Sequence, residues 1–195
     1  ISIWFNHTKF EIKHLNPAWF IPIVGSIMVP IAGTHHGFLE ISWFFFSVGL
    51  IFWIGLFIII LYRLFFHPPV AERLIPTLFI LFAPPAIGFI SWYKLTGSFD
   101  SFSKILYYFS LFLFILLLTQ IKSFFKIKFY LSWWAYTFPT AAISIATVLV
   151  YHISGNTLFK ILAIGQIAFL TLLIVFLMIK TIIEISKRKI CIYEE

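Results

Sequence analysis

Charged residues are scarce in this chain. Only 11% of its 195 residues are Asp, Glu, Lys or Arg, whereas about a quarter of a soluble domain is charged. With so few polar residues, neither a water-soluble enzyme nor a disordered tail could shield 26 Phe and 7 Trp side chains from water. The composition therefore excludes both classes and indicates an integral membrane protein.

Cysteine and acidic residues are also rare. The single cysteine, Cys191, excludes a disulfide framework and a CxxC metal site. The net charge of +7 raises the question of nucleic acid, but no stripe of basic and stacking aromatic residues lies outside the apolar segments. We therefore expect no nucleic-acid partner and no cofactor.

The sequence also lacks clusters of residues typical of catalytic or metal-binding sites. The only Asp, Asp100, stands in a predicted outward loop beside Gly97 and Ser98, and the sequence offers no cluster of polar catalytic residues, so we expect no enzyme. A metal site built from His35, His36 and His152 is conceivable, but no carboxylate accompanies them and an interfacial polar role suits them better. The sequence therefore predicts no metal site.

Long apolar runs, by contrast, fill the chain. About 20 apolar residues cross the hydrocarbon layer as a helix, whereas strands of a membrane barrel would alternate polar and apolar residues. Residues 1–195 are thus predicted to form a single, partial all-α polytopic membrane domain. Its six spans are residues 16–35, 41–65, 74–92, 105–121, 129–151 and 161–179.

The positive residues predict an orientation. Eleven of the 14 Lys and Arg residues fall before the first span, at or after the end of the second (Arg63 and Arg73), after the fourth, or in the tail. The other three are Lys94, Lys104 and Lys160. Since cytoplasmic loops are enriched in Lys and Arg, both termini of this chain are predicted to be cytoplasmic, in a plasma (inner) membrane.

Among the six spans, only the first, third and fifth contain proline. Pro22 and Pro30 are followed 54 residues later by Pro76 and Pro84, and Pro139 comes 55 residues after Pro84. We interpret this as a repeat of helical hairpins, each with one proline-kinked helix and one straight helix. A kinked helix frees backbone groups that hydrocarbon cannot satisfy, so the kinked helices are expected inside, around a pore.

The proline-containing spans have no charged residue in their central parts, which favours a channel or facilitator over an ion-coupled pump. Backbone dipoles freed at the kinks suit an anion. A single proline is equally typical of ordinary helix packing, and Gln120 and Gln166 are expected to form interhelical hydrogen bonds. The candidate pore-lining or kink residues are Pro22, Gly25, Pro30, Pro76, Pro84, Gly88, Thr137 and Pro139.

Three motifs resemble a known family. They are NPAWFIPIVGSIMVPIAG (16–33), LFAPPAIGF (81–89) and WWAYTFPTAAISIAT (133–147). Together they are similar to the tellurite-resistance/dicarboxylate transporter family, which includes TehA-like proteins, malate permeases, sulfite exporters and plant slow-type anion channels. The resemblance implies ten helices in five hairpins around a central pore, and protomers that assemble as homotrimers.

On that resemblance the chain corresponds to spans five to ten, so it is expected to be part of a longer protein. The resemblance also implies that Phe138, in the WAYTFP motif, plugs the pore as its gate. The implied substrate is a small inorganic or carboxylate anion, and membrane lipid surrounds the helices. The alternative function is a coupled carrier of C4-dicarboxylate or malate, sulfite or a tellurite-related species.

Overall fold

The computed structural model describes residues 11–124 and 126–187. Cys191 and the tail cations Arg188 and Lys189 lie outside the described residues. Six principal helices occupy it and no strand occurs there. We name them α1 (Pro17–Gly33), α2 (Leu39–Phe66), α3 (Glu72–Thr96), α4 (Ser101–Thr119), α5 (Leu131–Ser154) and α6 (Thr157–Ser186).

The helices are those of a polytopic membrane protein, which confirms the predicted all-α fold class. Within the described residues, α2 to α6 are each long and apolar enough to cross a bilayer. α1 is shorter, with four residues of 3-10 helix followed by thirteen of α-helix. Each predicted span falls on one of these helices, and the count of six crossings stays a prediction.

The odd-numbered helices share a change of winding. Each starts as a 3-10 helix (Pro17–Phe20, Glu72–Phe82 and Leu131–Tyr136) and then continues as an α-helix. The α-helical parts are Ile21–Gly33, Ala83–Thr96 and Thr137–Ser154, and a proline stands within the first three residues of each. Proline suits the first helical turn because the amide proton it lacks has no intrahelical acceptor there.

The change of winding separates prolines that their sequence spacing pairs. Pro22 and Pro84 both stand second in an α-helical part, whereas Pro76 lies inside a 3-10 segment and Pro30 inside an α-helix. Pro22 and Pro76, which are 54 residues apart, therefore lie in different windings, and their correspondence stays a prediction. The spacing from Pro84 to Pro139 agrees with the structure, because both begin an α-helical part.

Burial separates inner helices from outer ones. The most apolar stretch of α3 is 83% buried, whereas those of α2 and α6 are each 22% buried. The most buried helix thus contains proline, and α2 and α6, which contain none, are the most exposed. α4 and α5 are intermediate, at 39% and 44% buried, so the predicted division into inner and outer helices stays a prediction.

Buried hydroxyl groups satisfy backbone carbonyls between helices. Ser91 Oγ donates to the carbonyl of Ile27 at 2.6 Å, and Ser110 Oγ donates to that of Phe82 at 2.9 Å. Phe82 ends the 3-10 segment of α3 and is followed closely by two prolines, which have no N–H to offer. The serine on α4 therefore ties the point where the winding of α3 changes to the neighbouring helix.

The predicted interhelical hydrogen bond of Gln166 is wrong for the described residues. Its side chain is buried, yet neither amide atom has a partner there. Gln120, at the C-terminal end of α4, is exposed.

Candidate pore site

A cavity of about 420 Å³ lies where α1, α3 and α5 meet. It brings together residues from all three proline-containing helices, although the lining residues of different helices are more than 50 positions apart in sequence. None of its lining residues is charged. They are Ile21, Val24, Gly25, Met28, Ile80, Ala135, Phe138 and Pro139.

Phe138 is the one aromatic residue in this lining. It is 43% exposed, and it stands second in the α-helical part of α5, beside the buried Pro139. The 3-10 segment before it is held by Trp133 and Tyr136, which are both buried. Two buried aromatic residues thus precede the half-exposed Phe138 ring at the cavity.

The hydroxyl groups of α5 face the opposite way. Thr140, Ser144 and Thr147 are buried, and each donates to the carbonyl oxygen four residues earlier, at 2.7 to 2.9 Å. Helical periodicity places all three on the face opposite Phe138, where Thr147 also accepts from Tyr107 of α4. These hydroxyls therefore stabilise packing, and the cavity itself is apolar.

The cavity includes three of the predicted site residues: Gly25, Phe138 and Pro139. Gly25 is exposed, and a Cβ atom placed on it would meet nothing within 4 Å. Pro22 is also exposed on α1. Thr137 is half-buried and donates its hydroxyl proton to the carbonyl of Trp134 at 2.8 Å.

The remaining predicted site residues belong to the packed interior. Pro30, Pro76, Pro84 and Gly88 are buried and are not among the cavity-lining residues. A Cβ atom on Gly88 would lie 3.6 Å from Leu106 Cδ1, so this position packs α3 closely against α4. The structure places these four residues between helices.

Sequence reasoning missed the apolar lining residues Val24, Met28 and Ile80. Nothing in the sequence distinguishes them from the many other apolar residues, because only the helix rotation decides which side chains reach the cavity. In the described part of the chain, no three His, Cys, Asp or Glu side chains come together as ligands for a metal.

Comparison with known proteins agrees with this architecture. The family model described as "Voltage-dependent anion channel" matches residues 1–182. The S-type anion channel SLAH3 of Arabidopsis thaliana is 35% identical over 169 residues, which are 87% of this chain and 27% of that protein. SLAH2 of the same plant is 38% identical over 136 residues, or 70% of this chain and 26% of SLAH2.

The chain matches a larger share of an archaeal relative. An uncharacterized transporter of Methanocaldococcus jannaschii is 28% identical over 201 residues, which correspond to 91% of this chain and 58% of that transporter. The chain thus spans about a quarter of the plant relatives and over half of the archaeal one.

Proposed function

Because the chain belongs to the voltage-dependent anion channel family SLAC1, we propose that it forms part of the pathway of a multi-pass membrane protein that transports small inorganic or carboxylate anions. Phe138 is the gate of this pathway. The observation that carries the proposal is the half-exposed Phe138 ring in an apolar cavity between three proline-containing helices.

The physical basis of the gate is dewetting. A narrow apolar passage excludes water, and an ion cannot shed its hydration shell without replacement polar groups. The Phe138 ring adds an apolar obstruction to a lining that already has no charged side chain. Removing the ring widens the passage and lowers the barrier to water and ions.

Selection for anions can arise without a fixed cation. The helices α1 and α5 begin with 3-10 segments at Pro17 and Leu131, four residues before the lining residues Ile21 and Ala135. The N-terminal end of an α-helix carries partial positive charge, which stabilises an anion without holding it as tightly as a lysine would.

The remaining parts of the proposal concern placement and assembly. Both termini of the chain are cytoplasmic in the plasma (inner) membrane, α1 completes six spans, and the protein assembles as a homotrimer. The excess of Lys and Arg in alternate loops supports the orientation, and the family resemblance supports the trimer. Membrane lipid covers exposed apolar side chains of α2, which include Phe44, Ile51, Ile58 and Phe65.

Anion currents of the intact protein in planar bilayers test the gate. Wild type is compared with Phe138→Ala and with Phe112→Ala, a matched control whose exposed ring on α4 lies away from the cavity. A large ohmic current in chloride and malate gradients is expected from Phe138→Ala alone. Equal currents from the two variants would refute the gate.

The competing function is a coupled carrier, which the lack of charged residues in the cavity disfavours. A carrier predicts that Phe138→Ala stays electrically silent. It also predicts that uptake of labelled malate or sulfite saturates and follows the proton gradient. That combination would replace the channel with the carrier.

A further inference from the structure

Arg63 is buried near the C-terminal end of α2, with 4% of its surface exposed. Its Nη1 donates to the carbonyl of Pro68 at 2.6 Å, while its Nε is buried without a partner. A guanidinium has five N–H donors and a full charge, and burying it without a counter-charge is costly. Arg63 therefore lacks an acceptor for part of its guanidinium.

No acidic side chain of the described residues pairs with Arg63. The described part of the chain contains two ion pairs, Lys13 with Glu11 and Lys187 with Glu184. Glu72, the first residue of α3, accepts from the backbone N–H of Lys128. The last carbonyls of α2 offer only partial negative charge, so a full negative charge is still missing.

A second unpartnered donor stands four residues further on. Nε2 of His67 is buried without a partner, and the ring lies edge-on to Tyr62 with 5.3 Å between the ring centres. An imidazole nitrogen donates a hydrogen bond when it carries the proton. Arg63 and His67 thus place two unused nitrogen groups at the same end of α2.

The surroundings are those of a membrane interface. α2 is an outer helix, and near Arg63 it exposes Phe65 and Phe66, which are 71% and 73% accessible. Tyr62 is half-exposed beside them. Aromatic residues at the ends of spanning helices lie at the level of the lipid headgroups, where phosphate groups are the abundant anions.

We propose that Arg63 and His67 bind the phosphate of an anionic phospholipid, whose acyl chains lie along Phe65 and Phe66. The planar guanidinium matches the geometry of phosphate oxygens better than an ammonium group does. A lipid suits the site better than free phosphate does, because Arg63 lies on an outer helix beside exposed aromatic rings. The site is separate from the Phe138 cavity.

Lipid binding to the intact protein tests the proposal. Purified protein in neutral detergent is titrated at constant ionic strength with phosphatidylglycerol, phosphatidylcholine or inorganic phosphate. Thermal unfolding and native mass spectrometry measure stabilisation and the number of lipids bound. The variants are Arg63→Gln, Arg63→Lys and His67→Gln. The matched control is Arg73→Gln, which removes an exposed cation at the start of α3.

Phosphatidylglycerol is expected to stabilise wild type and Arg73→Gln more than phosphatidylcholine does. Arg63→Gln should bind it roughly tenfold more weakly, the loss expected for a charged hydrogen bond, and Arg63→Lys should fall between. Should Arg63→Gln fail to fold, weaker binding by Arg63→Lys and His67→Gln relative to Arg73→Gln supports the site.

Three results would overturn the proposal. One is wild-type affinity for phosphatidylglycerol in both Arg63→Lys and His67→Gln. Another is equal stabilisation by phosphatidylglycerol and phosphatidylcholine. The third is equal stabilisation by inorganic phosphate, which would assign the site to a free anion. Each readout is independent of conductance, so the outcome does not depend on the Phe138 gate.

Discussion

The hydroxyl of Tyr107 on α4 donates a hydrogen bond to Thr147 Oγ1 on α5 across 3.2 Å. Both side chains are fully buried, and Thr147 lies on the face of α5 opposite Phe138. The two sides of α5 thus have different roles, because polar groups hold one side against α4 while an aromatic ring faces the cavity on the other.

Tyr107→Phe is expected to reduce stability and leave conduction unchanged. It removes one interhelical hydrogen bond while keeping the ring, and such a bond contributes about 1 kcal/mol or less within membranes. Thermal unfolding measures the stability, and currents are recorded in the Phe138→Ala background. Tyr108→Phe is the matched control, because Tyr108 is half-exposed. A changed current in Tyr107→Phe would contradict the division of roles.

Gly49→Ala is expected to destabilise the packing of α1 against α2. The added Cβ atom would lie 2.7 Å from Ile27 Cγ1 and 3.0 Å from the backbone nitrogen of Ile27. Overpacking of this kind costs about 1 to 3 kcal/mol. Gly55→Ala on the same helix is the control, since nothing lies within 4 Å of its added carbon. Equal unfolding temperatures for the two variants would refute the close approach.

The helical membrane fold could be predicted from the sequence because charged residues separate long apolar runs. The winding of the odd helices could not. Pro22 and Pro76 look equivalent when only spacing is read, yet one begins an α-helical part and the other lies within eleven residues of 3-10 helix. A 3-10 helix has fewer residues per turn than an α-helix, so register depends on where the winding changes.

The site was predictable only in part. The family motif identified Phe138, and the structure places it at the cavity together with Gly25. Arg63 was counted among the cytoplasmic cations because cytoplasmic loops are enriched in Lys and Arg, and the sequence carries no measure of its burial. Such burial depends on how the chain after α2 folds back, which brings the Pro68 carbonyl to the guanidinium.

Acidification is expected to destabilise the loop between α3 and α4. The Asp100 carboxylate accepts from the backbone N–H of Ser103 at 2.8 Å and from Trp92 Nε1 at 3.0 Å. The Ser103 bond, with help from Trp92, holds the pKa of Asp100 below its usual value. A lowered native pKa stabilises the fold above about pH 4, and this contribution disappears as the pH falls through the native pKa.

Thermal unfolding between pH 7 and pH 2 checks this expectation. Asp100→Asn should be less stable than wild type at pH 7 and should lose less stability on acidification. Glu40→Gln, at the exposed start of α2, is the control and should follow the wild-type slope. An identical slope in Asp100→Asn and wild type would show that the carboxylate does not carry the effect.

Gly25→Leu is expected to close the pathway that Phe138→Ala opens. Gly25 lines the cavity with open space beside it, so a leucine side chain would extend into the volume vacated by the ring. The anion current of the Gly25→Leu, Phe138→Ala double variant in planar bilayers should therefore fall well below that of Phe138→Ala alone. Gly165→Leu on α6 is the matched control, because Gly165 is also exposed with nothing within 4 Å of an added Cβ atom. An undiminished current in the Gly25→Leu double variant would mean that anions do not cross this cavity.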